Sequence, residues 1–216
     1  MKDWSAFIFD FDGVLTDSVE VKALAFAKLF EDYGQDIVQR VIAHYRANGG
    51  INRFDKFRLY YNEYLGKPIS DTEIILLSEK FSRLVVDEII AAPEIKGVTH
   101  FLNEYSDIIK CFVNSATPQN EIREIVERRG WSGYLKKVLG APASKKDNLK
   151  YILNSYGLVP EKCLFFGDAV SDYEAARVCG VPFLGIVDNA EAPLLVSIPD
   201  ILWVRNFQEV KKWLES

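Results

Sequence analysis

The sequence predicts an α/β fold: a parallel sheet with helices on both faces, and an all-helical insertion after its first strand. Three observations predict it. From residue 108 onward, strand-like apolar runs alternate with helical patterns, as expected for βαβ units. An earlier apolar run, residues 4–11, reads as one further buried strand. Between them, about seventy residues hold several helical stretches and no convincing strand, too many for one crossover helix.

Taken in order, "WSAFIFDF" (4–11) is the first strand. Helical patterns follow over 19–33, 36–47, 54–65 and 71–90, and "AAPEIKGV" returns the chain to the alternating region. There the strands are "IIKCFVNS" (108–115), "KKVLG" (136–140), "CLFFGD" (163–168) and "VPFLGIVD" (181–188). Helices are expected over 119–129, 145–156 and 170–179. "DILWVR" and "FQEVKKWLES" supply a last strand and a last helix. The expected division is a Rossmann-like core, 1–17 and 92–216, and a helical cap, 18–91. Inserted lobes of this kind commonly close over a site.

Composition narrows the function. The chain has 216 residues, 49% of them hydrophobic, with 26 Lys and Arg against 31 Asp and Glu and a formal charge of −5. That balance argues against a broad nucleic-acid surface. With no long apolar run and no basic-then-apolar leader, the expectation is a soluble, unprocessed cytoplasmic protein with no membrane partner, a monomer or weak homodimer. Cys111, Cys163 and Cys179 read as small buried hydrophobes. His44 and His100 lie away from strand ends and read as structural.

In an open parallel sheet, ligands bind beyond the carboxyl ends of the strands. The residues expected there are Asp10 and Asp12 after the first strand, Ser115 and Thr117 after the second, and Asp168 and Asp172 around "GDAVSD". Lys145 and Lys146, in "APASKKD", open the helix after "KKVLG". Two aspartates one residue apart repel each other, and their desolvation needs a cation or a shared proton to offset it. In the insertion, Gly49 and Gly50 break the helical pattern ahead of Arg53, so a loop there can dip toward the site with a guanidinium suited to an anionic substrate or to a salt bridge.

"DFDGVLTDS", "VNSAT", "SKKD" and "GDAVSD", in this order, resemble the four motifs of the haloacid dehalogenase-like superfamily. The resemblance spans nearly the whole chain and points to the phosphatase branch with a helical cap between the first and second motifs, similar to phosphoglycolate phosphatase and β-phosphoglucomutase. It implies Asp10 as nucleophile and Asp12 as general acid and then base. It implies Mg²⁺ held by Asp10, the carbonyl of Asp12 and Asp168, with Asp172 orienting Lys145 or a metal-bound water. Ser115 and Lys145 would bind the phosphoryl group, with Thr117 beside them. Lys146 remains the alternative to Lys145, because the proline that usually follows the motif lysine is missing.

The aspartate at position 12 separates the reactions. Dehalogenases of the family lack it, since no alkoxide leaves, and the "DKTGT" of transporting ATPases is absent. The implied activity is hydrolysis of a small phosphorylated metabolite. A phosphomutase, or a binding or regulatory protein, are the alternatives. So is a phosphonate hydrolase, whose imine-forming lysine would be Lys22, Lys28, Lys56 or Lys67.

Overall fold

The structure, a computed structural model, describes residues 3–215. The first two residues of the expected core and the Ser216 end of the last expected helix lie outside the described residues.

Six strands form one parallel sheet: β1 (Ala6–Phe9), β2 (Lys110–Pro118), β3 (Lys137–Ala141), β4 (Cys163–Gly167), β5 (Phe183–Ile186) and β6 (Trp203–Val204). Their spatial order is β3-β2-β1-β4-β5-β6, so the chain reverses its direction of travel at β1. All four residues of β1 are buried because both faces of the sheet are covered. Phe7 and Phe9 point to one side, where Phe9 stacks on Phe166 with ring centroids 5.0 Å apart. Phe101 of α5 (Val98–Tyr105) and Phe207 of α10 (Phe207–Glu215) close that face. Ala6 and Ile8 point to the other side, against Leu149 and Ile152 of α7 (Lys145–Ser155) and Ala176 of α8 (Val170–Val178). Helix α6 (Gln119–Arg128) links β2 to β3, and α9 (Pro193–Ser197) links β5 to β6.

Four helices lie between β1 and β2 ahead of α5: α1 (Val19–Leu29), α2 (Gln35–Ala47), α3 (Arg53–Leu59) and α4 (Asp71–Ala91). They gather around Phe26, whose ring lies 4.5 Å from Phe81, 5.2 Å from Tyr45 and 5.5 Å from Phe57. Ser70 and Glu73 form a reciprocal cap at the start of α4.

The expected parallel sheet and its helices are therefore present, with corrections of detail. Strand β1 ends at Phe9, and β2 runs past Ser115 to Pro118 with a register shift between Asn114 and Pro118. The single helix expected over 54–65 is α3 followed by a π-helical turn, Tyr60–Tyr64. Helices α5 and α9 were not expected. Cys111 and Cys163 are buried, but Cys179 is only half-buried. His44 sits 3.1 Å from the Tyr60 hydroxyl and His100 is a surface neighbour of Glu104, both structural placements. Among the described residues no helix is long and apolar enough to cross a membrane.

Candidate active site

The chain reversal at β1 opens a crevice at the carboxyl ends of the neighbouring strands, where α/β sheets bind ligands. A cavity of about 720 Å³ lies there. Asp10, Asp12, Thr117, Lys145 and Asp168 line it from the sheet side; Lys22, Tyr45, Asn48, Gly50, Arg53 and Lys56 line it from the insertion.

Asp10 follows β1 directly, its N–H bonded to the Phe166 carbonyl of β4 at 2.9 Å, so its side chain is fixed between two strands. Lys145, the first residue of α7, is buried, and its ammonium lies 2.8 Å from Asp10 Oδ1 and 2.5 Å from Asp172 Oδ1. The Asn114 side chain of β2 donates to the Lys145 carbonyl at 2.8 Å, pinning the start of α7 beneath the site. Lys146 is exposed and lines a separate, shallower depression, so Lys145 is the lysine in the carboxylate cluster. Asp168 completes the cluster. Its approach depends on Gly13, which turns with φ +81°; a Cβ there would stand 2.2 Å from Asp168 Oδ2.

Asp12 belongs to a second group. Its carboxylate accepts from Lys22 Nζ at 2.5 Å, Ser18 Oγ at 2.6 Å and Thr117 Oγ1 at 3.1 Å. Lys22 also donates to Thr117 Oγ1 at 2.7 Å, so α1 and β2 share one hydrogen-bonded knot around Asp12. Ser115 sits just behind. It is buried but does not line the cavity, and its Oγ accepts the Thr117 N–H at 3.1 Å.

These environments push the carboxyls apart. Burial raises Asp10, with Lys145 pulling the other way, and burial together with Asp10 and Asp172 holds Asp168 well above the usual carboxylate range. Burial raises Asp172 to about 7 despite Lys145. Burial would also raise Asp12, but Lys22 and the hydroxyls of Ser18 and Thr117 overcome it, leaving that carboxyl below its ordinary value.

From the insertion, residues 48–51 descend onto the core. The Gly49 carbonyl accepts from Ser171 Oγ at 3.3 Å, and Gly50 has φ +77° and no room above it: an added Cβ would meet Ser171 Oγ at 2.0 Å and Lys145 Nζ at 3.4 Å. Arg53 does reach the cavity wall. Its guanidinium, however, is held in a buried two-pronged pair with Glu121 of α6, one prong at 2.9 Å, and donates to Ser82 Oγ at 2.8 Å. Lys56 lines the same side. Lys28 instead pairs with Glu31 on the surface, and Lys67 lies over the Tyr33 ring. Sequence reasoning missed Glu121 altogether, as well as the contact of Lys22 and Ser18 with Asp12.

The residues present fit a divalent cation. One oxygen from each of Asp10, Asp168 and Asp172 falls within 4.8 Å of the others, a hard-oxygen donor set of the kind Mg²⁺ takes. Two buried carboxylates, Asp10 and Asp172, and the half-buried Asp168 face a single ammonium, an excess negative charge that their raised affinities for protons register.

A family profile for haloacid dehalogenase-like hydrolases matches residues 4–180. The chain belongs to that family. It is 25% identical over 217 residues to a phosphoglycolate phosphatase from Aliivibrio fischeri, covering 93% of this chain and 92% of that one. Among solved structures, a predicted phosphoglycolate phosphatase from Haemophilus somnus matches with TM-score 0.76 and 19% identity over 99% of both chains. A β-phosphoglucomutase from Clostridium difficile matches with TM-score 0.77 and 23% identity, over 97% of this chain and 96% of that one. These last two are likenesses of fold. The resemblance read from the four motifs is borne out at the level of family and fold, and the protein is an enzyme of the hydrolase class.

Proposed function

We propose that the protein is a Mg²⁺-dependent phosphatase that hydrolyses a small phosphorylated metabolite through an aspartyl phosphate on Asp10, with the helical insertion as its cap. The observation that carries this reading is the buried Asp10 carboxylate, 2.8 Å from Lys145 and within ion-sharing distance of Asp168 and Asp172, on the floor of a cavity walled by the insertion. The phosphatases among its sequence relatives support it.

Asp10, Asp168 and the main-chain carbonyl of Asp12 would hold Mg²⁺, which would supply charge neutralisation and a template for the phosphoryl group. Asp10 attacks phosphorus in line, forming the acyl–phosphate bond as the ester P–O bond breaks. Lys145, placed by Asp172, stabilises charge on the transferring group. Ser115 and Thr117 support the site from behind, Ser115 Oγ holding the Thr117 N–H and the Thr117 hydroxyl holding Asp12. Asp12 gives a proton to the leaving oxygen and then takes one from the water that cleaves the aspartyl phosphate, regenerating Asp10. Lys22, Ser18 and Thr117 hold Asp12 as a carboxylate, the form needed for the second half. Loading it with a proton for the first half requires the Lys22 contact to give way as the ester binds.

Phosphate release from a panel of small esters, with Mg²⁺ and with EDTA, tests the reading. Metal-dependent release from at least one ester is expected, and EDTA abolishes it. No release from any ester overturns it, and phosphoryl transfer to a second sugar phosphate in place of release converts it to a mutase.

A further inference from the structure

Four cations among the described residues are both buried and line the cavity: Lys22, Arg53, Lys56 and Lys145. Three are neutralised by carboxylates, Lys22 by Asp12, Arg53 by Glu121, and Lys145 by Asp10 and Asp172. Lys56 is not. Among the described residues no carboxylate lies within ion-pair distance of it, and its ammonium makes no hydrogen bond; it stands 4.1 Å over the Tyr45 ring and 6.0 Å from that of Phe26. Lys56 is 2% exposed, so water does not pay this debt in the usual way.

A buried cation left unpaired is costly, and stacking on an aromatic ring recovers only a part of that cost. Chains ordinarily avoid such an arrangement by adding a carboxylate, as this one does at Arg53. The exception lies in the wall of a cavity large enough for a whole small metabolite. Lys145 and the acidic cluster belong to the sheet side and address the reacting phosphoryl group, whereas Lys56 is on α3, on the insertion side. Burial and the nearby Lys22 lower its pKa to about 7, and an arriving anion favours the charged form.

We infer that Lys56 reads a second anionic group on the substrate, so that the preferred ester is a phosphorylated acid or a bisphosphate and not a phosphorylated neutral alcohol. This rests on the phosphatase reading above. It also reassigns the anion-reading role from Arg53, whose guanidinium is already satisfied by Glu121.

The test compares kcat/KM for 2-phosphoglycolate, a sugar bisphosphate and ethyl phosphate, which matches phosphoglycolate in size but lacks the carboxylate. In the parent, one of the two doubly anionic esters is expected to exceed ethyl phosphate by roughly 10- to 100-fold, as a charge-assisted hydrogen bond allows; which of them does so identifies the second group as carboxylate or phosphate. Lys56→Met should collapse that ratio, mainly through KM, and Lys56→Arg should restore part of it. Titrating the winning ester into Asp10→Asn protein with and without Lys56→Met reads the same loss as binding. A ratio that Lys56→Met leaves within about threefold of the parent overturns the inference. So does borohydride trapping of a carbonyl-bearing phosphonate on Lys56, which would make its amine a covalent nucleophile. Absence of turnover on ethyl phosphate and both anionic esters alike would instead fail the phosphatase reading.

Discussion

Arg53→Met offers the sharpest test of how the insertion is held to the core. Arg53 sits on α3 and Glu121 on α6, each side chain only 5% exposed, so their pair joins the two parts of the chain in a dry environment. Methionine keeps an apolar stem beside the Phe81 ring, over which the guanidinium lies at 4.4 Å, and removes the charge together with its hydrogen bonds to Glu121, Ser82 and the Ser78 carbonyl. Glu121 is then left with one donor, Ser82 Oγ at 2.5 Å. Breaking a buried pair from one side costs about 3–5 kcal/mol. At roughly 2–4 °C per kcal/mol for a chain of this size, the melting temperature should fall by roughly 6–20 °C. Circular dichroism melts of the parent, Arg53→Met and Arg53→Met/Glu121→Leu supply the measurement. The double variant should recover most of the loss, since no buried charge remains. A fall under about 3 °C, or a double variant no more stable than the single one, would refute the argument.

Two further outcomes are expected. Asp10→Asn should lower phosphate release by at least roughly 10³-fold while melting no lower than the parent, because it removes a carboxylate whose burial already disfavours its charge; an active Asp10→Asn enzyme would end the aspartyl-phosphate proposal. For Lys56, the folded pKa of about 7 lies below the value of about 10.4 expected when unfolded. Below pH 7 both states carry the charge and the full cost of burying it is felt. Between about pH 7 and 10 the unfolded chain binds the proton that the folded one has released, so stability rises with pH. Urea unfolding should show this rise in the parent and not in Lys56→Met, with Lys56→Met the more stable at pH 6. Parallel pH profiles would contradict it.

The sheet was legible because a strand buried on both faces must be apolar along its length, and "AFIF" and "CLFF" are. The strand-end acids were legible because each follows such a run directly. Helix α5 carries a readable signal, with Val98, Phe101, Leu102 and Tyr105 at helical spacing, but falls between residue 98 and the strand at 108, where the sequence reading assigns no element. The π-helical turn at Tyr60–Tyr64 carried none, since a one-residue change of hydrogen-bond register leaves the apolar pattern almost untouched. Long-range pairs were illegible for a different reason. Lys22 meets Thr117, and Arg53 meets Glu121, only because the insertion folds back over the sheet. A lone glutamate on α6 gives no sign that its counter-ion is a cation from another lobe. The Arg53 reading thus had the right location and named a salt bridge as one of its two roles, but could not have foreseen that the partner is Glu121 or that the pair is buried.

The bare backbone of Gly50 has a consequence for how closely lobe and sheet meet at this site. At Gly50 there is no room for a Cβ against Ser171 Oγ, and Lys145 Nζ stands just beyond, so the closeness of lobe and sheet here depends on residue volume at position 50. Any side chain introduced there is a wedge. It would collide with Ser171 Oγ and crowd Lys145 Nζ at a backbone φ of +77° that L side chains rarely adopt, so the seam beside Lys145 closes this tightly only because position 50 is glycine.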